Sequence, residues 1–336
     1  MPHYRAFSGA FLTQFVVIGL LFAFGVLFKE FENEFGWSRT LLSSCSAIAF
    51  FIMGILALFA GHLSDKFGPK MVLIVSGIGY GSGFVLMSLV EKPWQILLIF
   101  AIFVGLGMGT HDVVPLSTVA RWFNKRRGLV TGLTKVGTSI GQMIIPPFTA
   151  YLIINYGLKN SLIILGIIAS TILVFAALLM SHPPHTETNE KKVPRNGIKS
   201  ENRSSRTFKK LCAIQFLFFP TLMTVPTHIA VYGIDIGMTF SQAALLLTTI
   251  GASSIFGRLA IGVFLDFMGS RNAYILCFLP IIFSLIGFLG LTNHKLLFFL
   301  MAIYGFGHGG LFAVVSPTVA GYFGMEEHGA LFGTIL

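Results

Sequence analysis

The chain has 336 residues, 54% hydrophobic and only 11% charged, with 35 phenylalanines, a formal net charge of +10 and a mean hydropathy of +0.82. This composition excludes an ordinary soluble globular domain and places the protein in a membrane. The basic excess does not point to nucleic acid, because the lysines and arginines gather in alternate connections between apolar runs.

Ten apolar runs are long enough to cross a hydrocarbon core of about 30 Å as helices. Spans 1 to 10 are expected at 8–28, 40–61, 70–90, 95–120, 128–152, 158–180, 210–233, 241–263, 273–291 and 296–320, divided by polar breaks such as KEFENEFGWSR, HLSDKFGPK and NKRRG. The first run follows only MPHYR, is long for a secretory leader and lacks a small-residue cleavage site, so it counts as a span. Arg5, Lys66, Lys70, Arg121, Lys125, Arg126, Arg127, Arg271 and the eight basic residues from Lys191 to Lys210 fall on one side; Lys29, Arg39, Lys92, Lys159 and Lys295 fall on the other. The positive-inside rule then predicts a cytoplasmic N-terminus and central linker, in a plasma (cell inner) membrane. Cys45, Cys212 and Cys277 lie in or beside spans without a CxxC spacing, so no disulfide framework or zinc motif is expected. The NRS triplet at Asn202 faces the cytoplasm on this topology and is discounted as a glycan acceptor.

Residues 182–209 form the one long polar stretch, rich in Pro, Ser, Asn and charge, and read as a flexible basic linker between an N-terminal half (1–181) and an incomplete C-terminal half (210–336). The halves repeat. GLGMG at Gly105 returns as GFGHG at Gly305, STVARWF at Ser117 as PTVAGYF at Pro317, GHLSDKFG at Gly61 as GVFLDFMG at Gly262, and GLVTG at Gly128 as GALFG at Gly329. Such repeats in equal orientation are parallel, related by an axis along the membrane normal.

With these segments in view the chain resembles a major facilitator superfamily carrier, which implies an all-α membrane fold of two six-helix halves around a central cavity. GHLSDKFGPK is similar to that family's loop between helices 2 and 3, and GVFLDFMGSR to its weaker copy between helices 8 and 9. FGVLFKEFENEFGWSR, RWFNKRRGLVTG and FSQAALLL with FGRLAIG further resemble the monocarboxylate transporter and oxalate/formate antiporter branch. Matching the halves puts Leu336 opposite Lys135, so ten spans and the start of an eleventh are expected here, as in a C-terminally truncated carrier.

The loop motifs have their own physics. Gly61 and Gly68 permit a tight turn, and Asp65 pairs with a helix N-terminus or with a base such as Arg121; Lys70, Gly262, Asp266, Gly269 and Arg271 complete the two copies. These nine residues are candidates for conformational gating, with static packing as the equal alternative. Gly105 with Gly109, Gly128 with Gly132 and Gly137 with Gly141 fit small-xxx-small helix contacts. GLGMG lies in an apolar span with no preceding strand and is not read as a nucleotide loop.

Charges within the spans cost about 2.5–3.5 kcal/mol each on insertion scales and usually face an interior cavity and a partner. Gly251, Ser254, Arg258 and Gly262 form one stripe of span 8; Thr131, Lys135, Thr138 and Gln142 form one on span 5; Thr221, Thr224, His228, Tyr232 and Asp235 form one on span 7. Span 4 adds His111 and Asp112, and span 10 adds His308. For Arg258 and Lys135 two readings stand, snorkelling toward a helix end or facing a cavity. Asp235 reads as a solvated cap, and Asp112 as an internal partner for Lys135 or a proton site. Two cations against one carboxylate bias the interior toward an anion, and a guanidinium fork matches a carboxylate. The resemblance implies that Arg258 is the anion ligand; Lys135, His228, His111, Ser254 and Tyr232 join it as substrate-contact candidates, and Asp112, His111, His228 and His308 are the proton-coupling candidates. The proton chemistry of monocarboxylate carriers does not transfer, since their helix-8 Asp is Ser254 here and their helix-1 Lys is Phe22.

The expected function is secondary active transport of a small mono- or dicarboxylate by alternating access, as proton symport or anion exchange. The rival is an anion-binding receptor or inactive remnant that does not translocate. No metal site, cofactor, catalytic residue or nucleic-acid partner is expected; partners are the substrate anion, protons in a symport mechanism and lipid, with a monomer as the default state.

Overall fold

The computed structural model describes residues 2–122, 127–181, 204–323 and 335, and among them all regular structure is helical. Span 1 is the helix Pro2–Phe35, span 2 Arg39–Phe67 and span 3 Pro69–Met87. Span 4 is segmented into Pro93–Ile99, a π-helical turn Phe100–Val104, Gly105–His111 and Val113–Trp122. Spans 5 and 6 run in one tract, Arg127–Leu179, broken at Gly157. Span 7 is Arg206–Asp235, spans 8 and 9 share Phe240–Gly287 with a break at Gly269, and span 10 is His294–Phe323. The ten expected passes are all present, and 324–334 and 336 lie outside the described residues.

Spans 1, 2 and 8 run several residues past their expected ends, and spans 1 and 7 start early. Span 1 extends past 28 to Phe35, its polar end held by a Lys29–Glu32 pair at 2.8 Å. Span 7 starts at Arg206 because Ser205 caps it, accepting from the Phe208 amide at 3.1 Å, so the last four residues assigned to the linker are helical; 182–203 lie outside the described residues.

The repeat is visible in how helices begin and end. Ser38 and Thr239, 201 residues apart, cap spans 2 and 8 through the Leu41 and Gln242 amides. Gly68 (φ 82) and Gly269 (φ 73), again 201 apart, close those spans in backbone geometry that side-chain-bearing residues rarely adopt. The tight turn expected to use both Gly61 and Gly68 therefore uses Gly68 alone: Gly61 lies inside its helix, as does Gly262.

Span 1 packs along spans 5 and 7, span 3 along span 6, and span 8 along spans 5 and 10. Close approach depends on small residues. A Cβ on Gly141 would stand 2.1 Å from the Phe15 carbonyl oxygen of span 1, and one on Gly257 would stand 2.0 Å from the Phe306 carbonyl oxygen of span 10. Gly105 and Gly109 rest on Ile52 and Leu56 of span 2, as small-xxx-small packing predicts. Core aromatic rings such as Phe24 and Phe100 meet at 4.5 Å between centroids, while Phe51, Phe216 and Phe283 are exposed on the outer surface, where a membrane protein meets lipid.

Candidate functional site

Three proline-freed carbonyls locate the polar interior. Pro115 has no N–H to return to the His111 carbonyl, and the helix breaks at Asp112. Gln14 of span 1 meets the gap, donating from Nε2 to the His111 carbonyl at 2.8 Å and to Asp112 Oδ1 at 2.7 Å. Pro147 likewise frees the Met143 carbonyl, taken by Thr248 Oγ1 at 2.8 Å. Pro226 frees that of Leu222, taken by the Tyr304 hydroxyl at 3.2 Å. Backbone polar groups at membrane depth require such partners.

Asp112 is the centre of the first cluster. Lys135 Nζ donates to its Oδ1 and Oδ2 at 2.6 and 2.7 Å, so Lys135 is held by a carboxylate rather than reaching for a helix end. Buried His111 donates from Nδ1 to the Met108 carbonyl. Because a carbonyl only accepts, a proton is assigned to Nδ1, and Nε2 lies 3.6 Å from Asp112 Oδ1.

Arg258 sits where spans 5 and 8 cross. Its Nη1 donates to the Lys135 carbonyl and to Thr138 Oγ1, and its guanidinium lies 5.3 Å from the centroid of the Phe312 ring. The residue is 9% exposed, and its Nε is buried without a partner. Among the described residues no carboxylate pairs with it. Residue 135 thus serves both clusters, its ammonium on Asp112 and its carbonyl under Arg258. One turn away Ser139 Oγ donates to Ser254 Oγ at 3.2 Å, and Gly251 rests on Ser139 and Met143 backbone. The upper part of the span 8 stripe is therefore helix contact, and its lower part carries the free guanidinium edge.

His308 is fully buried among Phe22, Tyr304 and Phe312, with centroid separations of 6.2, 5.6 and 5.2 Å. The structure does not bring His228 or Tyr232 to this cluster. His228 Nε2 lies 3.4 Å from Ser43 Oγ and its ring meets Phe28, and the Tyr232 hydroxyl donates to the Leu291 carbonyl at 2.7 Å in the turn before span 10. Asp235 is exposed at the outer end of span 7, as expected, and is also ion-paired: Arg39 Nη1 binds its Oδ2 at 2.6 Å and Lys29 Nζ lies 3.6 Å from its Oδ1, while Glu32 holds both cations at 2.8 Å. This network ties spans 1 and 2 to span 7 on the face opposite the linker. Of the gating candidates, Lys70 and Arg271 are exposed at the starts of spans 3 and 9, and Gly68 and Gly269 form turns. The surroundings of Gly61, Asp65, Arg121, Asp266, Gly128, Thr131 and Gly132 lie outside what is described, although their backbone is helical.

Gln14, Thr138, Ser139, Phe312 and the Lys29–Glu32–Arg39 group were not among the expected contacts. Pro115 signals that the His111 carbonyl needs a donor, but only tertiary structure shows that Gln14 supplies it.

The Major Facilitator Superfamily model matches residues 10–336. MFS-type transporter 1 of Ophiocordyceps sp. is 24% identical over 331 residues, covering 97% of this chain and 73% of that protein. Human monocarboxylate transporter 14 is 29% identical over 181 residues, 54% of this chain and 36% of that protein. Among solved structures, an inward-facing, unoccupied bacterial homologue of the human lysosomal transporter Spinster superposes with a TM-score of 0.78 at 14% identity, covering 99% of this chain and 78% of the other. The D-xylose–proton symporter does so at 0.74 and 14%, covering 99% and 85%. With ten membrane passes in two repeated halves and a family match over nearly its whole length, the chain belongs to the Major Facilitator Superfamily of membrane transporters.

Proposed function

We propose that this transporter carries a small organic anion, a mono- or dicarboxylate, by alternating access, with Arg258 as the principal anion ligand. One observation carries the reading: Arg258 is a buried guanidinium with a free Nε edge and no carboxylate paired to it among the described residues, whereas Lys135 is already neutralised by Asp112. A buried charge needs a partner, and a carboxylate arriving from solution meets Nε and Nη2 side-on, as a bidentate pair. Identity to monocarboxylate transporter 14 over about half the chain supports the same class. Positive-inside charge supports a cytoplasmic linker face in the plasma membrane, and the polar stretch between the repeats supports two halves rocking about a linker.

Proton symport is the favoured coupling. A proton arriving at His111 Nε2 faces Asp112 Oδ1 at 3.6 Å and draws that oxygen away from Lys135, the residue whose carbonyl Arg258 binds, freeing its ammonium for a second carboxylate contact. Replacing His111 by Gln is expected to leave uptake present but independent of pH between about 5 and 8, the interval in which an imidazole ordinarily titrates; a pH profile unchanged from the parent refutes this coupling.

Thermal unfolding of the purified chain across a panel of C2–C6 carboxylates tests the anion site. A carboxylate at 100 times its Kd stabilises the folded state by about 2.7 kcal/mol, and Arg258→Gln is expected to lose that shift for every member of the panel. Full stabilisation of the variant contradicts the assignment.

A further inference from the structure

We propose that His308, with Phe22 and Phe312, forms a second subsite beside Arg258, one that takes the aromatic body of a carboxylate and pairs with a hydroxyl carried on it. The inference rests on Arg258 holding the carboxylate.

His308 is fully buried in span 10, and neither of its ring nitrogens has a hydrogen-bond partner. Most buried polar side-chain atoms in folded proteins have one, so an exception needs a reason. The walls supply no partner, only rings. Phe22 and Phe312 present themselves edge-to-face to the imidazole, and Tyr304 offers its ring because its hydroxyl is committed to the Thr221 and Leu222 carbonyls. The same Phe312 ring carries the Arg258 guanidinium, 5.3 Å from its centroid, and Arg258 Nε is likewise buried without a partner.

Two unsatisfied polar groups therefore flank one aromatic ring. A ligand with an anionic head, a flat apolar body and a hydroxyl answers all three features: the head pairs with Arg258, the body stacks against Phe312, and the hydroxyl, both donor and acceptor, bonds whichever imidazole nitrogen faces it. A protonated His308 is a poorer account. The imidazolium would stand near Arg258, with which no described carboxylate forms a salt bridge, and like charges at that depth repel strongly. Phe22 comes from span 1 and His308 from span 10, so the subsite is shared between the two halves and its walls part when the halves rock.

Equilibrium binding to the full chain in lipid nanodiscs tests this with three probes: 3-phenylpropanoate, its 2-hydroxy derivative and its 4-hydroxyphenyl derivative. At least one hydroxylated probe is expected to bind about 10-fold tighter than the parent, a difference of about 1.4 kcal/mol. In His308→Phe the parent probe binds as before and the hydroxyl advantage falls below about 2-fold, whereas His308→Gln, which keeps a donor and an acceptor, retains part of it. Arg258→Gln loses all three probes. No binding of any probe, no hydroxyl preference in the parent protein, or an undiminished preference in His308→Phe overturns the subsite. Arg258→Gln binding all three probes normally while His308→Phe loses the preference refutes only the carboxylate assignment.

Discussion

Arg258 and Lys135 are the two cations at the depth where charge is most costly, and their partners give them different work. Lys135 makes a short two-oxygen contact with Asp112, which Gln14 also holds. Because both side chains are partly solvated, at 21% and 35% exposure, removing one partner is expected to cost about 1–2 kcal/mol, less than for a fully buried pair. Asp112→Asn and Lys135→Met should each lower thermal stability by that amount, and the double variant should recover part of the loss. Additive losses would show that the pair is not coupled. The snorkelling alternative left open by the sequence fails for Lys135 on this contact, which is the internal pair with Asp112 that the sequence offered as one reading.

At the scale of elements, the helices cross where glycine allows. Gly257→Leu puts a side chain against the Phe306 carbonyl, where even a Cβ would stand at 2.0 Å, and must separate spans 8 and 10. Overpacking of this kind costs about 1–3 kcal/mol, and a matching drop in unfolding temperature is the expected result; an unchanged melt means the two helices separate freely. On the face opposite the linker, Asp235 receives Arg39 and Lys29 from the other half. Asp235→Asn should open that face, read as at least a several-fold faster modification of a cysteine placed at Ser43, with the parent approaching the variant at high salt because the network is partly exposed and screened. Equal rates in both at low salt would show that the network does not hold the halves together. Periodicity placed His228, Tyr232 and Asp235 on one face of span 7, but their contacts divide: His228 and Asp235 meet spans 1 and 2, whereas Tyr232 turns to Phe288 and Leu291. It could not supply depth: the stripe runs nearly the whole helix, so its far members meet the opposite-face turns and the Arg39 network instead of Arg258.

For the whole molecule, apolar length and alternate-loop charge made the ten passes legible, and the repeat made the paired caps and turns at Ser38, Thr239, Gly68 and Gly269 legible in register. The pair between Asp112 and Lys135 was among the readings the sequence offered, but other contacts that depend on which spans face each other stayed hidden: Gln14 on the His111 carbonyl, Arg258 on the carbonyl of Lys135, and Asp235 between Arg39 and Lys29. These join residues separated by 97, 123 and 196 positions, and no local signal names the partner. Among the described residues Arg258 is buried without a carboxylate in salt-bridge contact at the crossing of spans 5 and 8, which is the basis for proposing an anion as cargo. The most direct measurement is uptake of radiolabelled small carboxylates into proteoliposomes containing this chain or its Arg258→Gln variant. Saturable uptake by the parent that falls to the protein-free background in the variant is the predicted result; equal carboxylate flux through both would contradict the account.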